Sequence, residues 1–226
     1  MKAGADAALG PVSTAAALFG TWYVGGPERR HAVAQAIAGA WRRRPWPGIG
    51  VRAPFWPPTT APRCCTSPRW TTWRTFPPQG LTWKQEVDAA VPGIERVGVA
   101  SGVLRCSTPV YGPAAEATCV VLATRKFDSP DAARADRLVD AVSESGAGVP
   151  PADGLLSAHF SVSVDGSQVF DCALWVSADA HRRAVENRSA GLETNVRWRQ
   201  AHAWPGLVGT VFQRFRPLLR LTPSHR

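Results

Sequence analysis

The sequence predicts an α+β protein built from two similar halves, offset by about 105 residues. Two observations support this. Each half opens with a strand pattern that enters a helix pattern and then a second strand. Each also closes with a matching phrase, AAVPGIERVGVASGVLRCST from Ala89 and HAWPGLVGTVFQRFRPLLRL from His202. Because an internal repeat reports architecture directly, the halves can be compared element by element.

The opening strands are predicted at residues 15–24 and 120–127, and a helix follows each of them. Apolar residues at helical spacing define the inward faces of these helices, namely Val33, Ile37 and Trp41 in the first and Leu138, Val139 and Val142 in the second. Ser129 before Pro130 has the form of an N-cap with proline at the first helical position. Each half therefore begins as a strand and a helix.

The second half supplies all the remaining elements. Strand two begins at Gly154, the Asp165-Gly166 pair predicts a hairpin turn, and strand three covers Ser167 to Val176. A helix over Ala178 to Asn187 and a final strand complete the order β-α-β-β-α-β. This order is that of a ferredoxin-like unit.

The first half has no recognisable strand three, and residues 64–80 (CCTSPRWTTWRTFPPQG) stand in its place. An alternative reading frame combines the third base of each codon with the first two bases of the next. In that frame the codons of Cys64 and Cys65 can encode only Leu, and those of Cys65 and Thr66 can encode only His or Tyr. One permitted reading, D-G-T-x-L-L-H, matches D-G-S-Q-V-F-D from Asp165 at the offset of about 105. We therefore expect a frame disruption over about 56–79 and a damaged first repeat; a natural proline-rich loop is the alternative.

These patterns give the expected domain organisation. It consists of a disordered tail (1–13), a first ferredoxin-like repeat (14–110, aberrant over 45–82), a linker (111–117) and a second repeat (118–223).

The net charge of +9 comes from one segment of the chain. Between Glu28 and Glu86 there is no Asp or Glu, while ten Lys or Arg residues fall there, so the rest of the chain is close to neutral. A nucleic-acid partner is therefore not expected, although tryptophans interleaved with arginines in this segment resemble a single-strand stacking surface. The five cysteines are an odd number without CxxC spacing, which argues against a disulfide framework and a zinc site.

No apolar run reaches membrane-spanning length, so we expect a cytoplasmic protein without a membrane partner. The sequence leaves its oligomeric state open.

Four phrases give the chain a family resemblance: TWYVGGPERRHAVAQAIAGAWRRRPWP, TWKQEVDAAVPGIERVGV, GLLSAHFSVSVDGSQVFDCALW and AWPGLVGTVFQRF. They resemble the tandem actinobacterial proteins of the antibiotic biosynthesis monooxygenase superfamily. The resemblance implies two ferredoxin-like repeats that form one α+β barrel. It also implies a reaction found in some relatives, the oxidation of aromatic polyketides to quinones with dioxygen and no metal, flavin or haem. Other relatives degrade haem, and many have no known reaction.

Strand alternation suggests a site in the second repeat. In strand two, Ser157 and His159 lie opposite a wholly apolar face. In strand three, Asp171 and Trp175 lie opposite the apolar run of Phe170, Cys172, Leu174 and Val176. If both apolar faces pack on the helices, the two mixed faces line the space between the sheets.

On this hypothesis His159 is a general base oriented by Asp171, and Ser157 and Trp175 bind a small aromatic substrate. The alternative is that the histidine and the tryptophan are structural and the aspartate is merely exposed. The sequence thus favours a cofactor-independent monooxygenase acting on an aromatic polyketide-like molecule. A non-catalytic ligand-binding or assembly protein with the same barrel is the second interpretation.

Overall fold

The computed structural model describes residues 16–26, 28–43, 50–55, 63–70, 80–146, 150–191, 200 and 203–221. The predicted N-terminal tail lies outside these residues, as do the parts of the predicted aberrant segment at 45–49, 56–62 and 71–79.

The described elements follow the order β-α-β-β-α-β twice. The first half contains β1 (Ala16–Tyr23), α1 (Arg29–Arg43), β2 (Gly50–Phe55), β3 (Arg63–Trp70), α2 (Gly80–Ala90) and β4 (Glu95–Ser107). The second half contains β5 (Cys119–Phe127), α3 (Ala132–Gly146), β6 (Leu155–Ser163), β7 (Gln168–Trp175), α4 (Ala178–Gly191) and β8 (Leu207–Leu221). No helix in the described ranges is long and apolar enough to cross a membrane.

The strands form a closed antiparallel barrel in the order β1-β3-β2-β8-β5-β7-β6-β4. Each half contributes four neighbouring strands in the ferredoxin-like order, β4-β1-β3-β2 and β8-β5-β7-β6. The halves are joined where β2 pairs with β8 and where β4 pairs with β6. The predicted α+β class and the ferredoxin-like arrangement are confirmed.

The predicted loss of strand three from the first half is wrong. Strand β3 pairs with β1 on one side, where Tyr23 faces Arg63, and with β2 on the other, where Phe55 faces Cys64. It lies 105 residues before β7, at the offset that relates the halves. Ladder hydrogen bonds come from the backbone, so a segment without a strand-like side-chain pattern can pair when it has a neighbour on each side. The sheet is therefore continuous between β1 and β2.

The predicted inward faces of the first two long helices are confirmed where they can be described. Val33 and Ile37 of α1 are buried, as are Leu138 and Val139 of α3. The side chain of Trp41 lies outside the described part. Burial at this spacing places one stripe of each helix against the sheet.

The N-cap of α3 is Asp131, and the prediction of Ser129 is wrong. The Asp131 Oδ1 atom accepts a hydrogen bond of 2.9 Å from the backbone N–H of Arg134, the third residue of the helix. The Ser129 hydroxyl donates instead to Asp128. The helix begins at Ala132 because the Asp131 carboxylate satisfies a backbone donor of its first turn.

Two apolar clusters lie on opposite faces of the second-half sheet. The helix-side core joins sheet residues to Ala135, Leu138 and Val139 of α3 and Ala180 of α4. The barrel-interior core contains no described helix residue and comprises Val120, Leu122, Leu156, Phe170, Leu174 and Phe215. Membership of one cluster or the other therefore shows on which side of the sheet a side chain lies.

Candidate functional site

The register between β6 and β7 decides which side chains share the barrel interior. Ser161 faces Phe170, and His159 faces Cys172. The chain turns through 164–167. The carboxylate of Asp165 accepts hydrogen bonds there from the backbone N–H of Ser167 and from the hydroxyls of Ser163 and Ser167, and these bonds hold its pKa below the usual range. Because directly paired residues point to the same side of a sheet, His159 lies on the face of Cys172 and Phe170.

Asp171 and Trp175 lie on the opposite face, so the prediction that they line the space between the sheets is wrong. Asp171 pairs with Phe160 of the helix-side core. Trp175 belongs to that core, and its ring meets the ring of His181 edge-on at 5.1 Å between centroids. Asp171 is therefore on the wrong side of the sheet to orient His159.

The error has a geometric cause. A hairpin loop with an even number of residues pairs odd-numbered positions of one strand with even-numbered positions of the next. The odd-numbered face of β6, which carries Ser157 and His159, is thus continued by Phe170, Cys172 and Leu174 in β7. The apolar run of β7 fills the barrel instead of packing on the helices.

His159 belongs to a row of interior side chains that runs across five strands. Successive pairings connect its members, from β4 through β6, β7 and β5 to β8. We call this the polar row; it consists of Ser107, His159, Cys172, Leu122 and Gln213. All of its members except Leu122 are only half-buried.

One of the two interior rows next to the polar row is fully buried among the residues that the structure describes. Its members, which we call the floor row, are all buried: Ser157, Leu174, Val120 and Phe215. Side chains of the polar row point into the barrel and are still accessible to solvent. The half-buried residues His159 and Cys172 therefore lie between two buried rows, with the floor row on one side and Ser161 and Phe170 on the other. Ser157, predicted to bind substrate, lies in the floor row.

Ser107 contacts His159 directly. The Ser107 Oγ and His159 Nδ1 atoms lie 2.8 Å apart, within hydrogen-bonding distance. If Nδ1 carries the proton and donates it to Ser107, Nε2 is the ring nitrogen that can accept a proton; in the other tautomer the Ser107 hydroxyl donates to Nδ1. Ser107 thus occupies the position beside the His159 ring that the sequence suggested for Asp171.

A β-bulge explains why the sequence did not identify Ser107. The register of β4 against β6 shifts between Leu104 and Cys106, so Leu104 faces Ser161 while Ser107 faces His159. Cys106 lies instead toward α3, where its Sγ is 3.0 Å from the Ser143 hydroxyl. Simple alternation from Leu104 would have brought Cys106 beside His159. Nothing in the local sequence marks the extra residue.

Two thiols of the second half lie in contrasting environments. Cys172 is half-buried and packs against the barrel-interior core. Cys119 is 2% exposed in the helix-side core, and burial raises the pKa of its thiol to about 11 despite the nearby Arg214. Among the described residues, no cluster of three or more His, Cys, Asp or Glu side chains is arranged to hold a metal.

No protein-family model matches the sequence, and no curated protein matches it. Several solved structures share the fold. An anthrone oxidase-like protein aligns with a TM-score of 0.69 over 94% of this chain and 94% of its own, at 9% identity. A Fusobacterium nucleatum protein, provisionally assigned as a monooxygenase, aligns with a TM-score of 0.66 over 93% of this chain and 95% of its own, at 7% identity.

A third structure is an uncharacterised ferredoxin-fold protein from Listeria monocytogenes, related to antibiotic biosynthesis monooxygenases. Its TM-score is 0.51 at 10% identity, over 92% of this chain and 96% of its own. Identities this low show a shared fold and leave the chemistry to be argued from the site itself.

Proposed function

We propose that the protein is a cofactor-independent monooxygenase that uses dioxygen to oxidise an aromatic polyketide-like substrate in secondary metabolism. The observation that carries this proposal is the Ser107–His159 pair on the accessible polar row inside the barrel. The fold shared with an anthrone oxidase-like protein supports the reaction class. The substrate class comes from the family resemblance of the sequence.

In this reaction His159 removes a proton from the substrate. A phenol or an anthrone becomes an electron-rich anion when it loses a proton, and such an anion can itself reduce dioxygen. Conversion of the activated CH₂ group to a carbonyl places one oxygen atom in the product and the other in water. The protein's contribution is a correctly placed base near neutral pH, which His159 held by Ser107 can supply.

The side chains around His159 suit a planar ligand. Leu122 and most of the floor row are apolar, and Gln213 adds an amide that can donate or accept. Ser157 is proposed to border the inner end of a bound ring. Trp175, on the helix side, is not part of this proposal.

Oxygen consumption tests the proposal. With an anthrone as substrate, we expect the purified protein to consume oxygen faster than the spontaneous reaction. His159→Ala should lower kcat about 100-fold or more and change KM little, because the base acts on the reacting proton. His31→Ala is the matched control, since His31 is an exposed histidine of α1.

A binding protein of the same fold gives a different result. It would quench tryptophan fluorescence on adding the anthrone without consuming oxygen, and that outcome would refute the enzymatic proposal. Full turnover by His159→Ala would refute the proposed base even if oxygen is consumed.

We also propose that the halves are tandem repeats and that about 56–79 is encoded out of frame. The 105-residue offset of β3 from β7 and the two matching closing phrases support the repeats, and the Leu and the His or Tyr that codons 64–66 force in the alternative frame support the frame disruption. The nucleotide sequence of codons 50–82 tests it. An alternative frame that contains stop codons, or that fails to encode the hairpin and strand, would exclude the frame disruption.

A further inference from the structure

A cysteine thiol faces the accessible interior of the barrel next to His159. Cys172 and His159 are directly paired across β7 and β6, which places their Cβ atoms about 4.5–5.5 Å apart on one face. Cys172 forms no disulfide, is half-buried, and packs against the barrel-interior core. Paired Cβ atoms at this separation allow the thiol to approach the imidazole.

Nucleophilic cysteines combine accessibility with a nearby base or positive charge. Cys172 meets both conditions because it is only half-buried and has His159 opposite. The Ser107 Oγ atom lies 2.8 Å from Nδ1, and when Nδ1 donates its proton to Ser107, Nε2 is the nitrogen that takes the thiol proton. The three residues lie consecutively in the polar row, on β4, β6 and β7.

We propose that Cys172 and His159 form a nucleophilic pair, oriented by Ser107, which binds planar electrophiles of the 1,4-quinone class covalently inside the barrel. The apolar floor row and Leu122 provide the surface on which such a ring can lie. Neither the thiol nor its pairing with His159 has a part in the oxygenation proposed above.

The covalent step needs no further reactant. His159 takes the thiol proton, and the sulfur attacks a ring carbon of the quinone to form a C–S bond. The electron pair of the attacked C=C bond moves to a carbonyl oxygen, which receives the proton from the imidazolium. Loss of the proton on the attacked carbon and its return to the second oxygen yields a thioether of the hydroquinone, so the quinone is reduced as the C–S bond forms.

The thiol's reactivity does not depend on oxygenation, but its consequence for the enzyme rests on the proposed function. If the protein makes a quinone, Cys172 can retain that product and slow turnover. Failure of either proposal is visible separately, because adduct formation is measured by mass and oxygenation by oxygen consumption.

The test uses the full-length native chain with iodoacetamide and with 1,4-naphthoquinone under anaerobic conditions, followed by tryptic mass mapping. The peptide 138–182 contains Cys172 as its sole cysteine, and the peptide 106–125 contains Cys106 and Cys119. We expect the first peptide to gain the mass of one intact quinone. Modification of Cys172 should be at least 10-fold faster than that of Cys119, whose thiol is buried with a raised pKa.

Variants identify the role of the histidine. His159→Gln should slow alkylation of Cys172 at neutral pH about 10-fold, and Ser107→Ala should have a smaller effect of the same sign. His31→Gln serves as the exposed control, and Cys172→Ser should abolish the adduct on 138–182. An unmodified Cys172 in the native wild-type protein would overturn the proposal whether or not the variants fold. A wild-type rate in a folded His159→Gln variant would overturn the pairing.

Discussion

The Nε–H group of Arg214 donates a hydrogen bond of 2.8 Å to Nδ1 of His181 and thereby connects β8 to α4. His181 is 4% exposed, and its ring also packs edge-on against Trp175. A donor and an acceptor that are removed from water together stabilise the fold mainly because neither is left without a partner.

We therefore expect His181→Leu to lower the free energy of unfolding by about 1–3 kcal/mol, since the leucine leaves the Arg214 donor without this acceptor. His181→Gln should cost less because its side-chain oxygen can accept the same hydrogen bond. Urea denaturation of the three proteins measures the difference. Equal losses for the two variants would mean that the ring's packing matters and the hydrogen bond does not.

Cys119 should make stability fall at alkaline pH. Burial raises the pKa of its thiol from 9.0 to about 11, so the unfolded chain loses this proton at a lower pH than the folded protein does. The contribution is fully present below pH 9 and is lost as the pH rises through 11, by on the order of 2 kcal/mol. Cys119→Ala removes it, so the stability difference between wild type and variant should shrink across this range. A pH-independent difference would contradict the assignment.

Gly102 allows β4 to lie close to its neighbours inside the barrel. An added Cβ would be 3.0 Å from Cβ of Ser161, 3.1 Å from the carbonyl oxygen of Val162 and 3.3 Å from Cδ2 of Phe170. Gly102→Ala should therefore destabilise the protein by about 1–3 kcal/mol. Gly209→Ala is the matched control, because a Cβ there has no atom within 4 Å. Thermal unfolding that ranks the two substitutions the other way would contradict the predicted steric conflict at Gly102.

Ser107 should affect catalysis through the histidine it contacts. If the protein is an oxygenase, Ser107→Ala should lower kcat about 5- to 10-fold and leave KM nearly unchanged, because the variant loses the free energy of about one ordinary hydrogen bond in the transition state. Ser107→Thr, which keeps a hydroxyl, should restore most of the rate. A KM effect without a kcat effect would indicate that Ser107 binds substrate and does not orient His159.

Local patterns in the sequence were sufficient for the class of fold and for most of the elements. Helical spacing identifies the buried faces of α1 and α3, and the Asp165-Gly166 pair predicts the turn, in which Gly166 has a φ of +72°. These features depend on residues a few positions apart, so they can be recognised without knowing the packing. Strand β3 was missed because its backbone pairing has no matching side-chain pattern.

The candidate site depended on which side of the sheet each side chain faces, and alternation alone cannot establish that. Alternation correctly places His159 and Phe160 on opposite faces of β6. Both faces of β7 contain apolar residues, so alternation does not show which face of β7 packs on the helices. The pairing of His159 with Cys172 places Asp171 on the helix side. The bulge in β4 then brought Ser107 to His159 from a strand 52 positions away. Register and bulges are set by packing across the whole barrel, because shifting a strand by one residue exchanges its two faces. The free-energy cost of such a shift depends on the neighbouring strands and helices, so the sequence of a single strand does not determine it.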